Sequence, residues 1–582
     1  MEALKARPAA RAREVLGLAL VGAFLLVSFG DGLRMPFLND DYLFLDKVAR
    51  TPFPAWFGFQ DLSFHWWRPW SRELHYGWLS HVFGPNELVF HVANFVLVFA
   101  ILIAYRALAT RLAGARVAGV ATCAVAVLAA WGVLLLWVAG VQDLWMLFAS
   151  ALALLAWSHG RRLLATLAFA IALASKETAC LLPGVFLAHE IWLARRPLRE
   201  ALLRVSGPAL LLLLWAAFHP HLGGRLWGGV VIDRAVDLLA VPPHVALVRS
   251  VGSLFNLDRM PAPAASVGRI LLVGCAVALL PVAAAWLLMG AGPARVKRAR
   301  ADKGAKPPER SNAGGVRAFA LAWTVLGWAP LALPSLGWHA YYALFGAMGA
   351  WLALGSWLAA RRALALAVIA AIAALALARG ATPSLDWGDA YYQRRAGVVL
   401  SGMRADLIGR WPTFPPHSRL YFVRVPNNVG FMAGDGPSLR TWYRDTTLRA
   451  GFFTAYASRA PGAPRGEDFF FRLDSLTGRW ERIVPATQDS MRHGAGPAWQ
   501  TGHMGLAQVF ARAGEWTRAY AELSLLANTY TQDPELAVLA AVARAEMGDS
   551  TGAMTWLREA ARRPGASREI LDEARAAGLL SR

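Results

Sequence analysis

Two adjacent aspartates, Asp40 and Asp41, follow directly on the first apolar run of the chain, in the stretch NDDYLFLDK. Acids in that position can cap a helix, bind a metal ion, or accept a proton at a membrane surface. As a cap, Asn39 or Asp40 would precede the helix YLFLDKVA, with the acids favoured in its first turn by the helix dipole. Three further stretches set polar side chains among apolar ones. HWWRPWSRELHYGWLSHVFG, from His65 to Gly84, places Trp66, Trp67, Trp70 and Trp78 beside Arg68, Arg72 and several histidines. Such rings form interfacial belts, and they also stack on sugars, while arginine forks match phosphate oxygens. ASKETACLLPG puts Lys176 and Glu177 at the end of an apolar run, where ionisable groups are costly and usually functional unless they pair with each other. LGWHAYYALFG brings His339, Tyr341 and Tyr342 to a helix start, as a membrane belt or a binding site would.

The elements that must position these groups are membrane helices. The 582 residues are 56% hydrophobic and include 25 tryptophans, and the mean hydropathy is +0.39, so most of the chain must face lipid. Apolar runs lie at about 15–30, 88–105, 117–138, 142–158, 163–175, 177–193, 202–218, 268–291, 317–334, 340–358 and 363–378, which predicts about 11 transmembrane helices. Several are short for a hydrocarbon core that takes ~20 helical residues to cross. The charge of +21 does not mark a nucleic-acid partner, because the basic residues fall in short segments between apolar runs and no nucleic-acid-binding motif accompanies them. It reads as topology: Arg7, Arg11 and Arg13, then Arg106, Arg111 and Arg116, then Arg161 and Arg162, then Arg195, Arg196, Arg199 and Arg204, then the stretch from Arg295 to Arg317, then Arg361 and Arg362, all share one side. That side is the cytoplasm, with the N-terminus inside, and the first run is an uncleaved anchor because no small-residue cleavage site follows it. Asp40 and Asp41, the loop 31–87, the loop 219–267 and everything beyond Arg379 then lie outside the plasma (inner) membrane, in the periplasm where there is one. The three cysteines, Cys123, Cys180 and Cys275, sit in separate apolar runs and offer neither a disulfide framework nor a zinc site.

Three regions follow: a membrane domain over 1–379 with a linker-like cytoplasmic segment at 292–316, a mixed α/β region over 380–500, and helical repeats over 501–582. SRLYFVRVP reads as a strand, and EDFFFRLDSLTGRWERIV as a hairpin turning at Thr477 and Gly478. Gly514, Ala519, Leu523 and Ala527 recur 34 residues later as Gly548, Ala553, Leu557 and Ala561, the period of a tetratricopeptide helix pair, with a trailing helix at 567–579.

The ordered series of an acidic pair after the first run, RPWSRELHYGWLSHVFGPNELVFHVANFVLVF, WVAGVQDLWMLFASALALLAW, ASKETACLLP and a tetratricopeptide-like tail resembles the membrane C-type glycosyltransferases. Within that fold it is most similar to protein O-mannosyltransferases of the transmembrane-and-tetratricopeptide kind and their bacterial relatives, over roughly residues 12–360. Gln142 departs from the pattern, standing where a basic residue is expected, and the repeat tract is short.

The resemblance implies an inverting transferase that moves a sugar, mannose or a similar hexose, from a polyprenyl-phosphate donor to an acceptor hydroxyl on the external face. A phosphate leaving group needs no protonation, so one general base suffices. Asp40 falls on the family's catalytic acid and is the expected base. The substrate-binding set is Asp41, His65, Arg68, Asp143, Lys176, Glu177, His339 and Tyr342. In it, Asp41 binds a hydroxyl or orients Asp40; Arg68, Lys176 and His339 meet the phosphate; and Glu177 holds Lys176. A divalent cation is left open as a cofactor, and no metal ligand is assigned. Expected partners are membrane lipids, the lipid-linked donor, and a protein, glycan or lipid acceptor. The alternatives are transfer to a lipid, as in the aminoarabinose transferases of lipid A, a transporter, and an envelope scaffold. Against a transporter, no inverted repeat is evident and the ionisable groups cluster on one face. Against a scaffold, eleven spans are far more than an anchor needs.

Overall fold

A computed structural model describes residues 2–59, 66–219, 241–258, 267–290, 313–332, 337–380, 382–474, 477–488 and 496–576. His65, most of the loop 219–267 and most of the linker 292–316 lie outside the described residues. The chain divides into two compact units, Met1–Gly397 and Val398–Arg582.

The first unit is almost wholly helical. Seven of its helices are long and apolar enough to cross a membrane: Pro8–Arg34, Glu87–Ala113, Val138–Ser158, Leu198–Phe218, Val273–Gly290, Ala313–Ala332 and Arg362–Gly380. These correspond to seven of the eleven predicted runs. The other four do not form single long helices. The run at 117–138 divides into Ala115–Ala126 and Trp131–Leu136, and that at 163–175 forms the short helix Arg162–Leu173. The run at 177–193 divides into Glu177–Leu181, Leu182–Ala188 and His189–Leu193, and that at 340–358 into a tight turn and Leu344–Leu358.

A break in a helix frees backbone groups that apolar surroundings cannot bond, so side chains must take them. Between Ala126 and Val141 that task falls to buried amides. Asn94 Nδ2 donates to the carbonyls of Leu134 (2.9 Å), Val138 (3.2 Å) and Trp137 (3.4 Å), and His91 Nδ1 lies 3.1 Å from Leu135 O. Asn256 reaches the other end of the break: its Nδ2 donates to Val127 O and Ile372 O, and its Oδ1 accepts from Ala129 N. At the second break, Ser71 Oγ donates to Ser175 O and Trp70 N to Ala174 O, which seats the segment after Arg68 against the segment before Lys176. Elsewhere small residues let helices touch. A Cβ on Gly327 would lie 2.6 Å from Gly346 Cα, and one on Gly349 would lie 2.8 Å from Ala320 O, so Ala313–Trp328 and Leu344–Leu358 pack backbone to backbone.

The second unit holds a four-stranded sheet of order β2-β1-β3-β4, with β1 Arg419–Val423, β2 Arg449–Phe452, β3 Asp468–Leu473 and β4 Trp480–Ile483. β1 runs parallel to both β2 and β3, while β3 and β4 are antiparallel. The helix Pro497–Arg512 shares a core with this sheet through Leu506, Val509 and Phe510 against Tyr421, Phe453 and Phe470. Two helix pairs follow, Pro497–Arg512 with Trp516–Thr529 and Pro534–Glu546 with Ser550–Arg562. Gly514 and Gly548 each follow the first helix of a pair with φ of +73° and +78°, a conformation that favours glycine.

Replacing Asn94 by Ala removes a buried donor from Leu134 O and a second donor from Trp137 O and Val138 O, which keep their bonds from Gly140 N and Val141 N, and the thermal unfolding midpoint in detergent should fall by the equivalent of about 1–3 kcal/mol. An unchanged midpoint would show that the break is held by other contacts.

Candidate functional site

The two aspartates have different surroundings. Asn39, with φ +50°, turns the chain into the helix Asp40–Arg50, and its side chain makes no capping bond. Asp41 is 0% exposed and both its oxygens are occupied: Oδ2 accepts from Leu38 N and Oδ1 from Tyr76 OH, each at 2.8 Å. Phe37, Tyr42, Phe44, Tyr76 and Phe90 pack around this turn, edge to face except for the tilted pair Tyr76 and Phe90. Asp41 thereby fastens the start of its helix to the segment carrying Tyr76. Asp40 is half-buried and makes no ion pair or side-chain hydrogen bond among the described residues, yet it lies in the field of Arg72 and Arg68.

Burial raises the Asp40 carboxyl to about 6, opposed by the charges of Arg72 and Arg68. Burial raises Asp41 further, to about 8, opposed by the Leu38 N–H and the Tyr76 hydroxyl. The environments therefore separate two chemically identical neighbours: near neutral pH Asp40 is the ionised acceptor and Asp41 the held group.

The cations form a network with three other segments. Arg68 grips Glu177 through Nε (2.8 and 3.0 Å) and Nη2 (2.6 Å), and its Nη1 donates to Gln142 Oε1 at 2.7 Å. Arg72 Nε donates to the same Gln142 oxygen at 2.7 Å, and its Nη1 to Trp66 O at 3.1 Å. Burial and the neighbouring Arg68 lower Arg72 to about 10, which leaves it cationic at neutral pH. Gln142 is itself oriented by a bond from Nε2 to Ala139 O. The residue that departs from the resembled pattern is thus a neutral bridge joining two arginines, and it brings their positive charges together beside Asp40.

Lys176 does not pair with Glu177. Its ammonium sits between both oxygens of Asp143, at 2.6 and 2.7 Å, and 4.2 Å from the ring centre of Tyr342. The expectation that Glu177 holds Lys176 is therefore corrected: Glu177 holds Arg68, and Asp143 holds Lys176. The reason is local. Lys176 is extended, with φ −163° and ψ 141°, so its side chain and that of the next residue leave the backbone in different directions.

His339 lies on the far side of the tyrosines, stacked on Tyr341 with centroids 5.6 Å apart and 5.4 Å from Tyr342. The structure thus brings together Asp40, Arg68, Asp143, Lys176, Glu177 and Tyr342, and adds Arg72, Gln142 and Tyr76. Arg72 carried a usable signal, since it is four residues from Arg68 and so shares a helical face with it. No sequence signal connects Tyr76 to Asp41. Among the described residues, no group of three or more His, Cys, Asp and Glu side chains is placed to hold a metal ion.

Gln142→Leu should leave two buried guanidinium groups without their shared acceptor and cost about 1.5–3 kcal/mol in detergent unfolding, while Gln142→Glu, which keeps an acceptor oxygen, should be milder. Equal effects of the two substitutions would contradict the bridging role.

No protein-family model matches the chain, and no curated protein matches it. Two solved structures are similar, both crystal structures of ArnT from Cupriavidus metallidurans. The one bound to undecaprenyl phosphate is 16% identical with a TM-score of 0.39, the likeness covering 75% of this chain and 85% of that one. The apo form is 15% identical with a TM-score of 0.40, covering 76% and 86%.

Proposed function

We propose that this chain is an inverting glycosyltransferase of the plasma membrane that moves a hexose from a polyprenyl-phosphate donor to an acceptor hydroxyl. The observation that carries the reading is the half-buried, unpaired Asp40 carboxylate in the field of two arginines joined by Gln142. A base needs an ionised oxygen that is not already bonded, with a pKa near the working pH. Asp40 meets both conditions; Asp41, with both oxygens occupied, does not.

In this reaction Asp40 takes the proton of the acceptor hydroxyl as its oxygen forms a bond to the anomeric carbon. The bond from that carbon to the phosphate oxygen breaks, and the electron pair leaves with the lipid phosphate. Charge grows on the phosphate, where Arg68 and Arg72 stabilise it in orientations fixed beforehand. Lys176, held by Asp143 above Tyr342, supplies a third positive charge to the same region. Aromatic rings around these cations provide apolar faces on which a sugar ring or a prenyl chain can rest.

The arginine distribution supports a cytoplasmic N-terminus and an external site. The second unit's helix pairs with a 34-residue period support a protein acceptor, with serine or threonine hydroxyls as the nucleophiles. Transfer to a lipid or glycan hydroxyl uses the same base and the same leaving group, and a panel of acceptors offered with labelled donor separates the two.

Asp40→Asn should lower kcat by roughly 10²–10⁴-fold while leaving membrane insertion and the unfolding midpoint intact. The wild-type rate should rise with unit slope as pH increases toward about 6 and level above it, because the base works only when ionised. Full transfer by the Asp40→Asn protein would overturn the assignment of the base.

A further inference from the structure

The segment following the helix Arg362–Gly380 folds back onto His339. Asp386 N donates to Ser384 Oγ at 3.2 Å, Gly388 N donates to Asp386 Oδ1 at 2.8 Å, and Gln393 Nε2 donates to the carbonyl of Trp387 at 2.6 Å. Asp389 accepts from Arg379, which also grips Asp258, so the turn is fastened at its far end as well. This closed turn sets Asp386 Oδ1 3.2 Å from His339 Nδ1 and the Trp387 ring 4.2 Å from the imidazole. A Cβ on Gly388 would overlap Nδ1, so glycine is what lets the turn approach so closely. The contact is close but not a directed hydrogen bond: Nδ1 is buried and has no hydrogen-bond partner among the described residues, whereas Nε2 is neither hydrogen-bonded among them nor sealed from solvent.

We infer that Asp386 is a positioning residue that holds His339 as a further anion-binding group, with Nδ1 toward the carboxylate and Nε2–H toward a phosphate oxygen of the donor. The inference rests on the reaction proposed above and extends it to a segment beyond the last candidate span. His339 is within one ring of the cationic network, since Lys176 lies 4.2 Å from Tyr342 and 5.5 Å from Tyr341, and both tyrosines touch the imidazole. A protonated imidazole carries a proton on each nitrogen, and the nitrogen turned away from Asp386 would then be the donor to an incoming phosphate. Trp387 and Tyr341 flank the ring and restrict its rotation, which fixes the direction of that donor.

The test is titration of the full-length protein in detergent with farnesyl phosphate, which carries the phosphate and a short prenyl chain without a sugar. Asp386→Asn preserves the shape of the turn and removes its charge, and should weaken farnesyl phosphate by about tenfold. His339→Ala should weaken it at least as much, and the double variant should be no weaker than His339→Ala alone, an outcome that a purely structural Asp386 would not produce. Gly388→Ala, which keeps both charged groups but displaces the imidazole, should also weaken binding. Wild-type affinity in Asp386→Asn, or an equal effect of that change with and without His339, would overturn this inference and leave the reaction standing. Absence of farnesyl phosphate binding by the wild-type protein would overturn the proposed reaction and this inference together.

Discussion

A backbone that leaves the helix among apolar neighbours must find a partner for every polar group it frees, and the first unit meets that demand at two breaks. Asn94, His91 and Asn256 take the freed groups between Ala126 and Val141, while Ser71 and Trp70 take those before Lys176. The candidate side chains enter where these breaks end. Gln142 and Asp143 stand in the first turn after one break, and Lys176 and Glu177 occupy the other. A continuous helix would have no reason to bring those four residues to the segment holding Arg68 and Arg72.

The ion pairs then fix direction. Arg68 is held along one edge by Glu177 and through Nη1 by Gln142, and Lys176 by both oxygens of Asp143, so neither cation has to be ordered when an anion arrives. Pairs this buried contribute less to stability than their short distances imply, because removing two charges from water offsets much of their attraction. In the proposed reaction their value would be orientation: donors that already point toward a developing charge need no rearrangement. The same economy separates the two aspartates. One is consumed in fastening its helix to Tyr76, and the other has no side-chain partner among the described residues.

Much of this could be read from residue order. The seven long helices follow from apolar length, the strands β1, β3 and β4 from aromatic runs between polar turns, and the candidate residues from charges set in apolar stretches. What could not be read depends on contacts between distant segments. Hydropathy does not register a break whose carbonyls are taken by an asparagine 40 residues away, so the run at 117–138 reads as one segment and folds as two. The pairing of Lys176 with its neighbour looked natural in sequence and fails because extended neighbours diverge. β2, with the sequence RAGF, is short and lacks alternation, and only its place beside β1 makes it a strand. In sequence, leaving-group chemistry asks for only one base and the resemblance points to Asp40; the bonds that occupy Asp41 favour the same choice on separate physical grounds.

In the proposed reaction Asp40 acts as a base and no carboxylate acts as a nucleophile. The sugar would then pass by direct displacement at the anomeric carbon, without a covalent sugar–enzyme intermediate. The measurement that reaches this most directly is the anomeric configuration of the product formed from a polyprenyl-phosphate sugar of defined configuration, read by nuclear magnetic resonance. Inversion relative to the donor is the predicted result; retention would require a glycosylated carboxylate and would contradict the account.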